Sequence, residues 1–271
     1  MIQPTTHTGI PSAVDSLLLV GRGVMIEVIR RQEFYVLLIF MAIYMVGVAI
    51  AGLVGVENEQ TLVFLLNLGI SFAYLSAHVL GLLTAARQIP FEVDNRTIYP
   101  LLAKPLSREH YILGKWAACW AAGLTVFAVL FGMSYIPWLF FPGAPSLNPG
   151  VLFQALALNA VSLAMIAAFG LMGSLLVPQG VNVTVWALIF FVGSITANFI
   201  EARAKLSGWS DHVGWLTAYI PDFNQLNLFT RYTDGIGPVS AAEFVGLAAY
   251  GAIFTAAAFA VATITFGRRP L

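Results

Sequence analysis

Residues 151–200 read VLFQALALNA VSLAMIAAFG LMGSLLVPQG VNVTVWALIF FVGSITANFI. They hold no Asp, Glu, Lys or Arg, and the charge-free run begins earlier, at Trp116. A bilayer core is about 30 Å thick, and a helix needs about 20 apolar residues to cross it. The run from Trp116 to Ile200 is long enough for three crossings with short turns. In hydrocarbon every backbone polar group must be satisfied internally, which leaves helices or a closed barrel. Barrel strands alternate apolar and polar residues over about ten positions. The solid apolar run from Val185 to Ile195 does not alternate, so the fold class is all-α and polytopic.

The rest of the chain agrees. Its hydrophobic fraction is 59%, its charged fraction 10% and its mean hydropathy +0.85, against about 25% charged residues in a soluble domain. Formal net charge is zero, so no overall field argues for a nucleic-acid partner. The single cysteine, Cys119, sits in an apolar run and reads as a small packing residue. Met1 to Ile10 is mostly polar and lacks a basic leader region and a small-residue cleavage site, so no cleavable signal is expected there.

Six spans are expected, at about 34–53, 61–86, 112–133, 151–176, 181–200 and 242–266. Residues 1–33 form a tail and 34–271 the transmembrane domain, with a connecting loop at 87–111 and a long loop at 201–241. Lysines and arginines collect on the cytoplasmic side. With the N-terminus in the cytoplasm, ten of them (Arg22, Arg30, Arg31, Arg87, Arg96, Lys104, Arg108, Lys115, Arg268, Arg269) lie inside and three (Arg203, Lys205, Arg231) outside. Both termini are therefore expected in the cytoplasm.

Two segments flank the spans. Ser12 to Gln32 places Val14, Leu17, Leu18, Met25, Val28 and Ile29 at helical spacing. With arginines beside them, they read as an amphipathic helix on the cytoplasmic surface, the alternative being a frayed tail. The 201–241 loop is rich in aromatics, among them Trp209, Trp215, Tyr219, Phe223, Phe229 and Tyr232. Short helices lying at the outer surface and broken by Pro221 are expected. They form either an external gate or a passive interfacial belt.

A polar island interrupts the apolar pattern from Glu92 to Lys115. Seven of the chain's 26 acidic and basic residues fall in these 24 positions: Glu92, Asp94, Arg96, Lys104, Arg108, Glu109 and Lys115. Val93, Ile98, Leu101, Leu102 and Leu106 add an apolar face too large to leave in water. Both signs of charge suit a protein groove better than an anionic lipid surface, where mostly Lys and Arg are expected. The bland alternative is an ordinary charged cytoplasmic loop.

Glu92, Arg96-Thr97, Leu101-Leu102-Ala103-Lys104-Pro105, Ser107-Arg108 and Gly114-Lys115 resemble the first cytoplasmic loop of ABC-2 type transporter permeases. The closest likeness is to the subgroup of copper-enzyme maturation and gliding-type exporters. The resemblance implies a permease subunit in a bacterial cytoplasmic membrane, paired with a second copy or a similar permease. It also implies two separate ATPase subunits carrying ATP and Mg, with no cofactor on this chain. Glu92, Asp94, Arg96, Thr97, Leu101, Leu102, Lys104, Pro105 and Arg108 would then form the coupling element seated on the ATPase. Pro100 departs from a plain helical loop and leaves the register of that element open.

Enzyme chemistry is not expected. No G-x-x-x-x-G-K-[ST], H-E-x-x-H or G-x-S-x-G occurs, and His7, His78, His110 and His212 have no metal-ligand spacing. Within the spans, Asn67, His78, Gln154, Asn159 and Asn198 either glue helices together or line a substrate path. Scarce charge there suits an apolar or amphipathic cargo, such as a lipid or peptide, better than a small ion. Two rivals to an ATP-driven exporter stay open: a secondary transporter driven by ion gradients, and a non-transporting membrane anchor for an ATPase.

Overall fold

The computed structural model describes residues 23–24, 26–55, 58–94, 108–136, 148–204 and 221–268, with only the backbone described at Asp94, Arg108 and 192–204. The chain is helical around a single bundle. Helical residues 23–24 and 26–29 precede α1 (Gln32–Leu53), α2 (Glu59–Asp94), α3 (Arg108–Tyr135), α4 (Pro149–Leu176) and α5 (Gln179–Ala204). A 3-10 turn (Phe223–Leu226), the short α6 (Phe229–Thr233) and α7 (Ala241–Arg268) complete it. Helices α1, α2, α3, α4 and α7 are long and apolar enough to cross a membrane. In α5 the apolar part with described side chains is Gln179–Phe191, and its helical backbone runs on to Ala204.

Helix α4 is the axis of the bundle. From Ser162 to Leu171 every residue is buried, as expected of a helix that is apolar all round. It begins at Pro149, whose missing N–H costs nothing at a first helical position, and the Asn148 side chain accepts the Gly150 N–H at 2.9 Å. Neighbours attach to it by polar hooks. The indoles of Trp116 and Trp120 on α3 stack 5.8 Å apart and donate to the carbonyls of Ala164 and Ala160, at 3.0 and 2.8 Å. Asn182 on α5 donates to the Gly170 carbonyl at 2.8 Å, and a Cβ at Gly173 would lie 1.9 Å from its side-chain oxygen. Helix α7 approaches as closely, because a Cβ at Gly251 would meet Val161 at 2.4 Å.

The contacts fix an antiparallel order. Ile89 of α2, Tyr111 and Ile112 of α3, Leu171 and Leu175 of α4, and Ala262 and Phe266 of α7 share one cluster at the island end. At the other end, Tyr44 of α1 donates to Leu65 of α2 at 2.7 Å, and Gln154 of α4 holds Val239.

Two features differ from the sequence reading. Helix α2 does not end near residue 86; it continues through Pro90 to Asp94, and α3 starts at Arg108. The expected connecting loop at 87–111 therefore shortens at both ends. Proline removes one helical donor, but Gln88, Ile89 and Glu92 keep inward partners that hold the extra turns. Second, the 221–240 segment is not a purely surface element: Asn224, Gln225 and Asp234 to Pro238 are exposed, but its aromatics turn inward. Phe223, Leu226, Phe229 and Tyr232 are buried, with Phe229 5.5 Å from Phe127 and Phe223 5.5 Å from Phe190, ring to ring. Trp209, Trp215 and Tyr219, like residues 12–22 of the N-terminal element, lie outside the described residues.

Candidate functional site at the base of the polar island

The island begins at Glu92 and ends at Lys115, and these two residues are paired with each other. Gln88 and Glu92 stand one turn apart on α2; Tyr111 and Lys115 stand one turn apart on α3. Residues at this spacing share a helix face, so the two pairs can meet. The Lys115 ammonium donates to Glu92 and, at 2.9 Å, to the Gln88 side-chain oxygen. The Tyr111 hydroxyl donates to the same Glu92 carboxylate. Lys115 is 7% exposed and Gln88 4%, so the pair is screened from water and its loss is costly.

The network continues beyond the two helices. The Gln88 amide donates to Glu27 at 3.3 Å, and Glu27 accepts from Arg31 at 2.7 Å. Nearby, Arg87 of α2 meets Glu33 of α1 at 3.4 Å. Below this polar layer, the Tyr111 ring stacks on Phe266 of α7 at 5.5 Å. The ends of the island are thereby tied to each other, to the stretch before α1 and to α7.

Of the residues expected to form the coupling element, Glu92 is the one whose side chain is described. It faces inward to Lys115 and Tyr111. Asp94 ends α2 and Arg108 opens α3, each described by backbone alone. Arg96, Thr97, Pro100, Leu101, Leu102, Lys104 and Pro105 lie outside the described residues. Gln88 and Tyr111 were missed in the sequence reading. Their spacing, four residues from Glu92 and from Lys115, was the available signal.

No hydrogen bond links the span candidates to one another among the described residues. Half-buried Asn67 accepts from Ser71 at 3.1 Å. Gln154 bonds both the N–H and the carbonyl of Val239 at 3.0 Å, tethering the 221–240 segment to α4. Buried His78 is within 2.8 Å of the Tyr74 carbonyl and of the Ser162 hydroxyl, one ring nitrogen to each, and packs against the rings of Tyr74 and Phe190. Both ring nitrogens are thus satisfied. Asn159, 1% exposed, has neither amide atom hydrogen-bonded among the described residues and stays the strongest of the path candidates. The Asn198 side chain lies outside the described residues.

No curated protein matches the chain. A family model described as "ABC-2 family transporter protein" matches residues 24–271, nearly the whole sequence. The chain thus belongs to the ABC-2 transporter family, as a multi-pass membrane permease of the ABC transporter class.

Proposed function

We propose that this permease is the membrane half of an ATP-driven exporter, with hydrolysis carried by two copies of a separate ATPase docked on residues 95–107. The observation that carries this reading is the buried Lys115–Glu92–Gln88 clamp, which closes the chain between α2 and α3 into a ring. A force applied to a slack loop is lost in the loop. Applied to a clamped one, it moves both helices together, and the Tyr111–Phe266 stack extends that motion to α7. A second permease copy completes the pathway, and the island faces the cytoplasm of a bacterial inner membrane. An apolar or amphipathic cargo fits the charge-poor spans.

Reconstitution with the partner ATPase tests this. Arg96→Ala combined with Leu102→Ala is expected to release the ATPase in detergent without changing the melting of the spans. Glu92→Ala is expected to keep the ATPase bound and hydrolysing but to lower cargo movement in proteoliposomes. If both variants keep wild-type capture and coupled transport, the reading is wrong. Capture without any cargo movement by the wild type assigns the chain to the anchor role instead.

A further inference from the structure

A groove of about 1200 Å³ runs between the 23–29 stretch, α1 and α2. It is larger than the roughly 300–1,000 Å³ of ordinary small-molecule pockets. Its chemistry is divided along its length. At the island end stand Arg30, Arg31 and Arg87, with Glu27 and Glu33. Away from that end its wall is apolar, with Leu37, Phe72, Leu75, Val79 and Leu83 among the lining residues. From Arg87 back to Phe72 is fifteen residues of α2, or about 22 Å at 1.5 Å per residue. One leaflet with its headgroup layer is about 20–22 Å deep.

The arginines keep donors to spare. Arg31 spends one terminal nitrogen on Glu27, while its Nε and the other terminal nitrogen are buried without a hydrogen-bond partner among the described residues. Arg87 spends one on Glu33, and among the described residues its Nε is likewise buried without one. Arg30 has no ion pair among the described residues. Three guanidiniums thus face two carboxylates, one of which also accepts from Gln88. A guanidinium carries five donors in a planar fork that matches phosphate oxygens, and basic pockets between spans at this level suit anionic headgroups.

We propose that this groove holds an anionic phospholipid, its phosphate on Arg30, Arg31 and Arg87 and one acyl chain along the apolar wall between α1 and α2. Charge favours an anionic over a zwitterionic headgroup, and the apolar length favours a lipid over a free phosphate. A bound lipid of this kind links the 23–29 stretch to α2 beside the Gln88–Glu27 contact. It bears on the position of the island without depending on how transport is powered.

Native mass spectrometry of the full-length chain in detergent tests this, with dioleoyl-phosphatidylglycerol and dioleoyl-phosphatidylcholine as probes. Phosphatidylglycerol is expected to bind more tightly. Arg30→Gln, at an exposed residue outside the ion pairs, should weaken it about five-fold and weaken phosphatidylcholine less, since the choline cation offsets the phosphate it shares. Leu83→Trp, which fills the apolar wall, should weaken both lipids. Melting in lipid-free detergent confirms that each variant is folded. Equal retention of the two lipids, or phosphatidylglycerol binding unchanged in both variants, overturns the proposal. So does full displacement by glycerol 3-phosphate, which would assign the site to a soluble phosphate. A cysteine at Val79 that cross-links to a second copy in detergent also overturns it, by giving the groove to the dimer.

Discussion

Lys115 is the residue on which the base of the island turns. Removing one partner of a buried ion pair strands the other, at a cost of about 3–5 kcal/mol, whereas replacing both with apolar groups can be nearly neutral. Lys115→Met is therefore expected to lower the melting temperature more than Glu92→Leu and Lys115→Met together, measured by thermal unfolding in detergent. Equal loss in the single and double variants would show that the pair is not the stabilising unit. His78 belongs to the same scale. Each ring nitrogen has a partner, and no carboxylate contacts the ring among the described residues. His78→Phe leaves the Ser162 hydroxyl only the Tyr74 hydroxyl, at 3.5 Å, and should cost about 1–3 kcal/mol while leaving transport intact. Abolished transport in a folded His78→Phe protein would return this residue to the substrate path. Such roles were only half legible in the sequence. An intramembrane histidine is visible there, but whether its nitrogens are satisfied depends on Ser162, 84 residues away.

At the scale of elements, close approach sets the joints. Gly173 lets the start of α5 fold against α4, with Asn182 in the space a Cβ would need. Gly173→Ala overpacks that joint and should cost about 1–3 kcal/mol. Pairing it with Asn182→Gly should recover part of the loss, read from the two melting curves, and no recovery would place the strain elsewhere. The 221–240 segment is a second joint. Gln154→Leu removes both bonds to Val239 and should raise hydrogen exchange across 221–240 without changing exchange in α2. Span identity was readable because twenty apolar residues in a row have few alternatives. The ends of α2 were not, because Gln88 and Glu92 look like loop residues until Lys115 is seen opposite them. The inward position of Phe223 and Phe229 was also hidden. A membrane-interface belt and a buried plug draw on the same aromatic residues.

Across the whole molecule, one buried helix carries the bundle. Around α4, α2 and α3 descend to a clamped base, α7 joins them through Phe266, and α1 stands at the edge with only Met41 and Val48 buried. Family membership follows from the complete pattern, which matches over residues 24–271. The order of the island residues carried the resemblance from sequence alone, whereas the clamp beneath them needed tertiary contacts. The central claim is that the island receives force from another chain. It is tested most directly by placing a photo-crosslinking amino acid at Leu102 in cells and identifying what it captures. The account predicts a cross-link to a subunit bearing a phosphate-binding Walker motif, lost on Arg96→Ala. Cross-links to lipid or to this chain alone, with transport intact, would contradict it.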